Sequence, residues 1–308
     1  MSGDFSDSSS ISELTSKISR NSLKQFVNTI EGLRHGGENY DALEQRALFI
    51  EQFFRSLKMS VQSQPVVFHG KTFRNIIADK STSAGDSGTI LIGAHYDAAE
   101  GSPGADDNAS GVAVMLETAR LLSDIQLNKT VRFVAFTLEE PQPQSVNFLI
   151  GSRHFAEEAK KAGVKYEAVL ILESVGYSSS DKGSQIIPSF VRINAPDIGN
   201  FLGVVANRTS ESIMKKFQSV TAENVPELLV ATYKVPFSGY LMPETRFSDH
   251  SPFWDCGYPA LMLTDTAMFR NPHYHTEYDS VDTLDFNFMS NVAKAVIAFI
   301  AQCDGSLQ

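Results

Sequence analysis

Between residues 41 and 58 the apolar side chains Leu43, Ala47, Ile50, Phe54 and Leu57 recur every three or four positions, the spacing of one face of a helix. Two β-rich runs follow, 65–69 and 72–78, with His69-Gly70 as the turn between them and the polar run 81–88 as a loop. Short apolar runs then alternate with helical ones. Residues 89–96 (TILIGAHY) predict a strand, 112–122 a helix, 131–138 (VRFVAFTL) a strand, 151–162 a helix and 166–172 a strand. A further strand is expected at 190–194, a helix over 198–217, a strand at 260–264 and a closing helix over 288–301. Strands that are apolar almost throughout, alternating with helices, predict an α/β fold: a mixed, mostly parallel twisted sheet with helices on both faces. No repeat or long linker interrupts the pattern, so residues 22–308 are expected to form one domain. The chain begins MSGDFSDSSS, serine-rich and without an apolar run, and residues 1–21 are expected to be a disordered tail.

Composition narrows the classes of function. The 308 residues carry 26 basic and 36 acidic side chains, a net charge of -10, which argues against a surface built to neutralise nucleic-acid phosphates. Apolar runs such as 295–301 fall short of the ~20 residues a membrane helix needs, so no membrane partner is expected. Cys256 and Cys303 make no disulfide framework and no zinc-knuckle spacing, which favours a reducing compartment. The first residues lack the basic start and apolar stretch of a signal peptide; the chain as written reads as cytoplasmic, and as secreted or periplasmic had a leader been removed.

The chemistry gathers where strands end. In open α/β sheets ligands bind outside the carboxyl ends of the strands. The strand at 89–96 runs into His95-Tyr96-Asp97, the next into Glu139-Glu140 and the third into Glu173. An acid at one strand end is usually solvated; three successive strands ending this way point to a metal or acid–base site. His95 and Asp97 share one face of an extended chain, so Asp97 can hold the ring nitrogen of His95 that faces away from a metal. The loop SPGADDNASG (102–111) puts Asp106 and Asp107 at the start of a helix, where capping explains only one of them. Glu139 and Glu140 are adjacent and repel each other, unless a cation binds one and leaves the other as a base. Later loops carry Asp249-His250 and Tyr274-His275.

Six motifs then occur in order: GAHYD (93–97), GADDNASG (104–111), LEE (138–140), LESVGY (172–177), SDHSPF (248–253) and YHTEYD (274–279). With them the chain resembles the M28 family of di-zinc peptidases. The resemblance implies that His95, Asp107 and Glu173 hold one zinc and Asp107, Glu140 and His275 a second, with Asp107 bridging. It places the general base on Glu139, the acid that orients the histidine on Asp97, and a tyrosine that helps polarise the scissile carbonyl on Tyr274. Asp249 and His250 match a motif that shapes the cleft.

Nitrogen and oxygen ligands without thiolates suit zinc, and two such ions ~3.5–4 Å apart can bring the pKa of a water down from about 15.7 toward neutrality. The expected substrate is a peptide with a free N-terminus, its amine held by Glu139, Glu173 and Asp106. Two departures from the family bear on substrate choice. Glu173 stands where many family aminopeptidases have aspartate, and the segment 141–150 (PQPQSVNFLI) is longer than the short turn of the simplest members. The alternatives are a single-zinc, glutaminyl-cyclase-like acyl transfer and a non-catalytic binding protein of the same fold. G-x-S-x-G and HExxH are both absent.

Overall fold

A computed structural model of the chain describes residues 10–82, 88–142, 147–187 and 196–306. Strand β3 (Thr89–His95), which carries the first histidine, is buried at every residue. It lies inside one eight-stranded sheet, between β4 (Thr130–Phe136) and β5 (Ala168–Glu173). The order runs β1 (Ser60–Phe68), β2 (Lys71–Lys80), β4, β3, β5, β8 (Ala260–Thr264), β6 (Phe201–Ala206), β7 (Leu229–Lys234). The pairs β4–β3, β3–β5, β5–β8 and β6–β7 are parallel; β1–β2, β2–β4 and β8–β6 are antiparallel. The sheet is thus mixed and mostly parallel, as the apolar pattern predicts. His69 (φ 47°) and Gly70 (φ 75°) turn the β1–β2 hairpin with the two left-handed residues that a tight turn matching strand twist requires.

One face of the sheet is covered by α2 (Arg20–Ile30), α3 (Tyr40–Ser56), α4 (Gly111–Leu122), α6 (Glu211–Asn224) and α8 (Phe286–Asp304). The other face is covered by α5 (Ile150–Lys161) and α7 (His250–Asp255), through Phe155, Phe253 and Trp254. Helix α8 is long and apolar enough to cross a membrane by length and composition, yet it packs in the core here, with Val292, Val296, Ile297, Phe299 and Ile300 fully buried.

Two expectations need correction. Residues 10–21 are no tail: α1 (Ile11–Ser16) buries Ile11 and Leu14, and the Ser19 side chain caps α2. The helix expected over 198–217 is strand β6 followed by α6, and the edge strand β7 was not foreseen. At the junction, Asn207 Oδ1 accepts from the backbone N–H and the hydroxyl of Ser210, a local bond that ends the strand and starts the helix. The strand expected at 190–194 lies outside the described residues.

Candidate metal centre

β3, β4 and β5 run parallel side by side, so their carboxyl ends open on one edge of the sheet and bring His95, Glu139-Glu140 and Glu173 together. Two loops complete the cluster. The 104–110 loop carries Asp107 on its way into α4. It starts at Gly104 (φ +60°), where a Cβ would lie 2.3 Å from the Asp107 carbonyl oxygen, so only glycine fits. The loop after β8 carries Tyr274 and His275 and is tied back through Asp279, whose carboxylate accepts the backbone N–H groups of Asp106 (2.9 Å) and Asp107 (3.1 Å).

Asp107 lies at the middle. Its Oδ1 is 3.1 Å from His95 Nε2 and its Oδ2 is 2.9 Å from His275 Nε2. Glu173 Oε2 is 3.5 Å from His95 Nε2, and Glu140 Oε1 is 3.3 Å from His275 Nε2. Glu139 Oε2 stands 3.9 Å from His95 Nε2. Donor atoms of His95, Glu139 and Glu173 lie within 4.8 Å of one another, and so do those of Asp107, Glu140 and His275. Distance alone therefore leaves Glu139 able to join the His95 group, and its separation from the ligands rests on the family resemblance.

The electrostatics are those of a site short of positive charge. Burial and the neighbouring Asp107 push Glu140 up to about 7. Burial raises Glu139 well above the ordinary carboxyl range, and Glu173 is raised for the same reason. Burial alone would lower both histidines. The carboxylates reverse this: Glu139 and Glu173 drive His95 well above its usual value, and Asp107 and Glu140 lift His275 to about 11. Burial would raise Asp107, but the hydrogen bond to His275 and the charge of the nearby His95 hold it below the usual range. Tyr274, stacked on the His275 ring at 3.9 Å, is kept protonated by burial and the surrounding carboxylates.

The chain's own groups leave several donors unsatisfied. Both ring nitrogens of His95, Asp107 Oδ1 and Glu140 Oε1 are buried without a hydrogen-bond partner. Orphaned donors of this kind are costly, and a bound cation satisfies them. Imidazole and carboxylate donors without thiolates fit zinc.

Asp97 supports the cluster from behind. Its Oδ1 lies 3.5 Å from His95 Nδ1, and its two oxygens accept the backbone N–H groups of Glu139 and Glu140, each at 3.1 Å. The Ser248 hydroxyl donates to Glu173 Oε2 (2.7 Å), a contact that spacing did not reveal. Asp249 is buried, and desolvation lifts it to about 7. His250 donates from Nε2 to the Thr245 carbonyl (2.9 Å) and packs edge-on to Trp254, so the pair stiffens the cleft wall at Thr245. Asp106 does not face the cleft as expected. Its oxygens accept from Gly176 N (2.8 Å) and Asn271 Nδ2 (2.7 Å), which leaves it no part in holding a substrate amine. Of the wall segment 141–150, residues 143–146 lie outside the described residues.

Beside Glu173 and Tyr274 a cavity of about 160 Å³ opens between β8, β6 and β7, walled by Phe201, Val205, Met262 and Phe269. Gly203 and its partner Ala231 in β7 line it too, and their small size leaves room.

A mostly parallel sheet whose carboxyl edge gathers imidazoles and carboxylates around unsatisfied donors has the lining of a metal site. The chain matches peptidase family M28 over residues 75–300 and belongs to that family. It is 35% identical over 273 residues to the uncharacterized protein YfbL of Escherichia coli, covering 85% of this chain and 81% of that one. It is 28% identical over 244 residues to aminopeptidase YwaD of Bacillus subtilis, covering 76% of this chain and 45% of that one. Among solved structures, LapB of Legionella pneumophila superposes with a TM-score of 0.73 at 22% identity, covering 96% of this chain and 74% of that one. Glutaminyl cyclase of Porphyromonas gingivalis superposes at 0.70 with 23% identity, covering 93% and 99%. At such identities the two structures share the fold with this chain and speak to nothing finer.

Proposed function

We propose that the protein is an aminopeptidase that holds two zinc ions, one on His95, Asp107 and Glu173 and the other on Asp107, Glu140 and His275. The observation that carries this reading is Asp107, whose two carboxylate oxygens point to two different histidines at 3.1 and 2.9 Å. One carboxylate shared between two donor sets is what a bridging ligand requires. Zinc held by these residues would supply Lewis acidity to polarise a scissile carbonyl and acidify a water.

The remaining steps fall to the chain's own residues. Glu139, buried at the site and outside the assigned ligand set, takes the proton of the attacking water and delivers it to the leaving amine nitrogen. The Tyr274 hydroxyl, held protonated, donates a hydrogen bond to the carbonyl oxygen as charge develops on it. Glu139 and Glu173 offer carboxylates to the substrate's α-ammonium, and the cavity beside them receives an apolar N-terminal side chain.

Two measurements test the reading. Zinc titration of stripped protein, read by elemental analysis, should saturate at two equivalents per chain; saturation at one overturns the two-ion assignment and favours a single-zinc acyl transfer. Aminoacyl anilides with a free amine should be hydrolysed and their acetylated counterparts left intact. Equal turnover of both overturns the aminopeptidase assignment.

A further inference from the structure

Among the described residues, Arg34 is the largest fully buried side chain. It lies in the connection between α2 and α3, outside the stretch that matches the family. Its guanidinium donates to four backbone carbonyls: Nε to Tyr96 (2.8 Å), Nη1 to Gly32 (3.1 Å) and to Pro103, and Nη2 to Gly104 (2.8 Å). Tyr96 sits between His95 and Asp97. Pro103 and Gly104 open the loop that delivers Asp107. One planar fork therefore spans the two chain passages whose side chains, His95 and Asp107, meet at 3.1 Å.

The neighbouring residues reinforce the tie. Gly32 N–H donates to the Pro103 carbonyl (2.9 Å), and His35 donates from Nε2 to the carbonyl of Pro141, the residue after Glu140 (3.1 Å). Burial draws the Arg34 pKa down to about 10, while Asp97, Asp279 and Asp107 pull it back up, so the group is cationic at neutral pH. Every carbonyl it holds belongs to a loop that supplies or flanks a metal-site residue, or to its own strut.

We propose that Arg34 is a positioning residue that sets the zinc affinity of the site by fixing the spacing of His95 and Asp107. Lysine in its place keeps the charge but has one nitrogen and no planar fork, so it cannot span the four carbonyls. The inference rests on the zinc reading of the site.

The test is zinc affinity of the full chain, measured by competition with a chromogenic chelator, in wild type and Arg34→Lys. The variant should keep a native far-UV circular dichroism spectrum, bind zinc at least tenfold more weakly, and recover kcat to within a few-fold of wild type at saturating zinc. A merely misfolded variant is recognised by loss of the native spectrum before zinc is added, because zinc that binds the folded state would also draw a misfolded chain back. A folded Arg34→Lys protein that binds zinc within twofold of wild type overturns the proposal. Hydrogen exchange on wild type supplies a second measurement that needs no variant. Coupling is reciprocal, so zinc should slow exchange at amides 32–36, which contain no ligand, together with 104–109. Unchanged exchange at 32–36 also overturns it. Wild-type protein that binds no zinc would instead overturn the metallopeptidase reading, so the two failures are distinct.

Discussion

Asp97 holds Glu139 by its backbone: the carboxylate accepts the Glu139 N–H at 3.1 Å and the Glu140 N–H at the same distance, while it faces His95 Nδ1 at 3.5 Å. One side chain thus faces His95 at the end of β3 and holds the backbone of the paired acids that follow β4. Asp97→Asn can accept on one oxygen only and sets an NH₂ against an N–H. Its zinc affinity should fall ~10–100-fold, the usual loss when a ligand's orienting partner is removed. Competition titration checks this; an unchanged affinity would show that His95 is oriented without Asp97.

The paired acids should separate cleanly on substitution. Glu139→Gln should keep both zinc ions by elemental analysis while kcat falls by about 10²–10⁴, the range for loss of a general base. Glu140→Gln should lose zinc. The reverse pattern would exchange their roles, an outcome the 3.9 Å approach of Glu139 to His95 leaves open to experiment.

Metal removal should act on stability with a definite sign in pH. Glu140 titrates near 7 in the folded chain against about 4.5 unfolded, and His275 near 11 against about 6.5. Folded metal-free protein therefore binds more protons than the unfolded chain from about pH 4.5 to 7 through the carboxyl, and from about 6.5 to 11 through the imidazole. Its stability falls as pH rises through both windows, by up to about 1.4 kcal/mol per pH unit for each group. Zinc takes the place of those protons. The gap in Tm between zinc-loaded and chelator-treated protein should widen from pH 5 to pH 8. A gap that narrows would contradict the raised values.

Substrate choice should follow the cavity. Ala231→Phe places a ring opposite Gly203 on a half-exposed edge strand that tolerates aromatic residues. Burying a leucine side chain is worth about 1.5–3 kcal/mol, so kcat/KM for leucyl anilide should drop ~10-fold or more while alanyl anilide is little affected. Equal losses on both substrates would place the N-terminal side chain elsewhere.

The part of the site legible in the sequence was the part carried by strand ends. β3, β4 and β5 are apolar runs that stop in His95, Glu139-Glu140 and Glu173, and parallel pairing puts those ends together. β6 escaped because FLGVVA, buried at five of its six positions, has no alternation to distinguish it from a buried helix turn. β7 escaped for the opposite reason: as an edge strand it is half-exposed along its length. Asp106 and Asp107 are adjacent acids with opposite fates, decided by Gly176 and Asn271, which lie about 70 and 165 residues away in sequence. Arg34 carries no motif, and its partners are backbone carbonyls, which leave no trace in side-chain patterns.

The two histidines differ in their access to water: the His95 side chain is fully buried, whereas that of His275 is 34% exposed. Two ions seated on them would therefore differ in residence time. A chelator should strip the His275 ion in a fast phase and the His95 ion in a slow one, passing through a half-loaded species. The outer seat could then be refilled with cobalt or manganese while the inner keeps its zinc, giving a route to mixed-metal protein in which each ion can be observed separately.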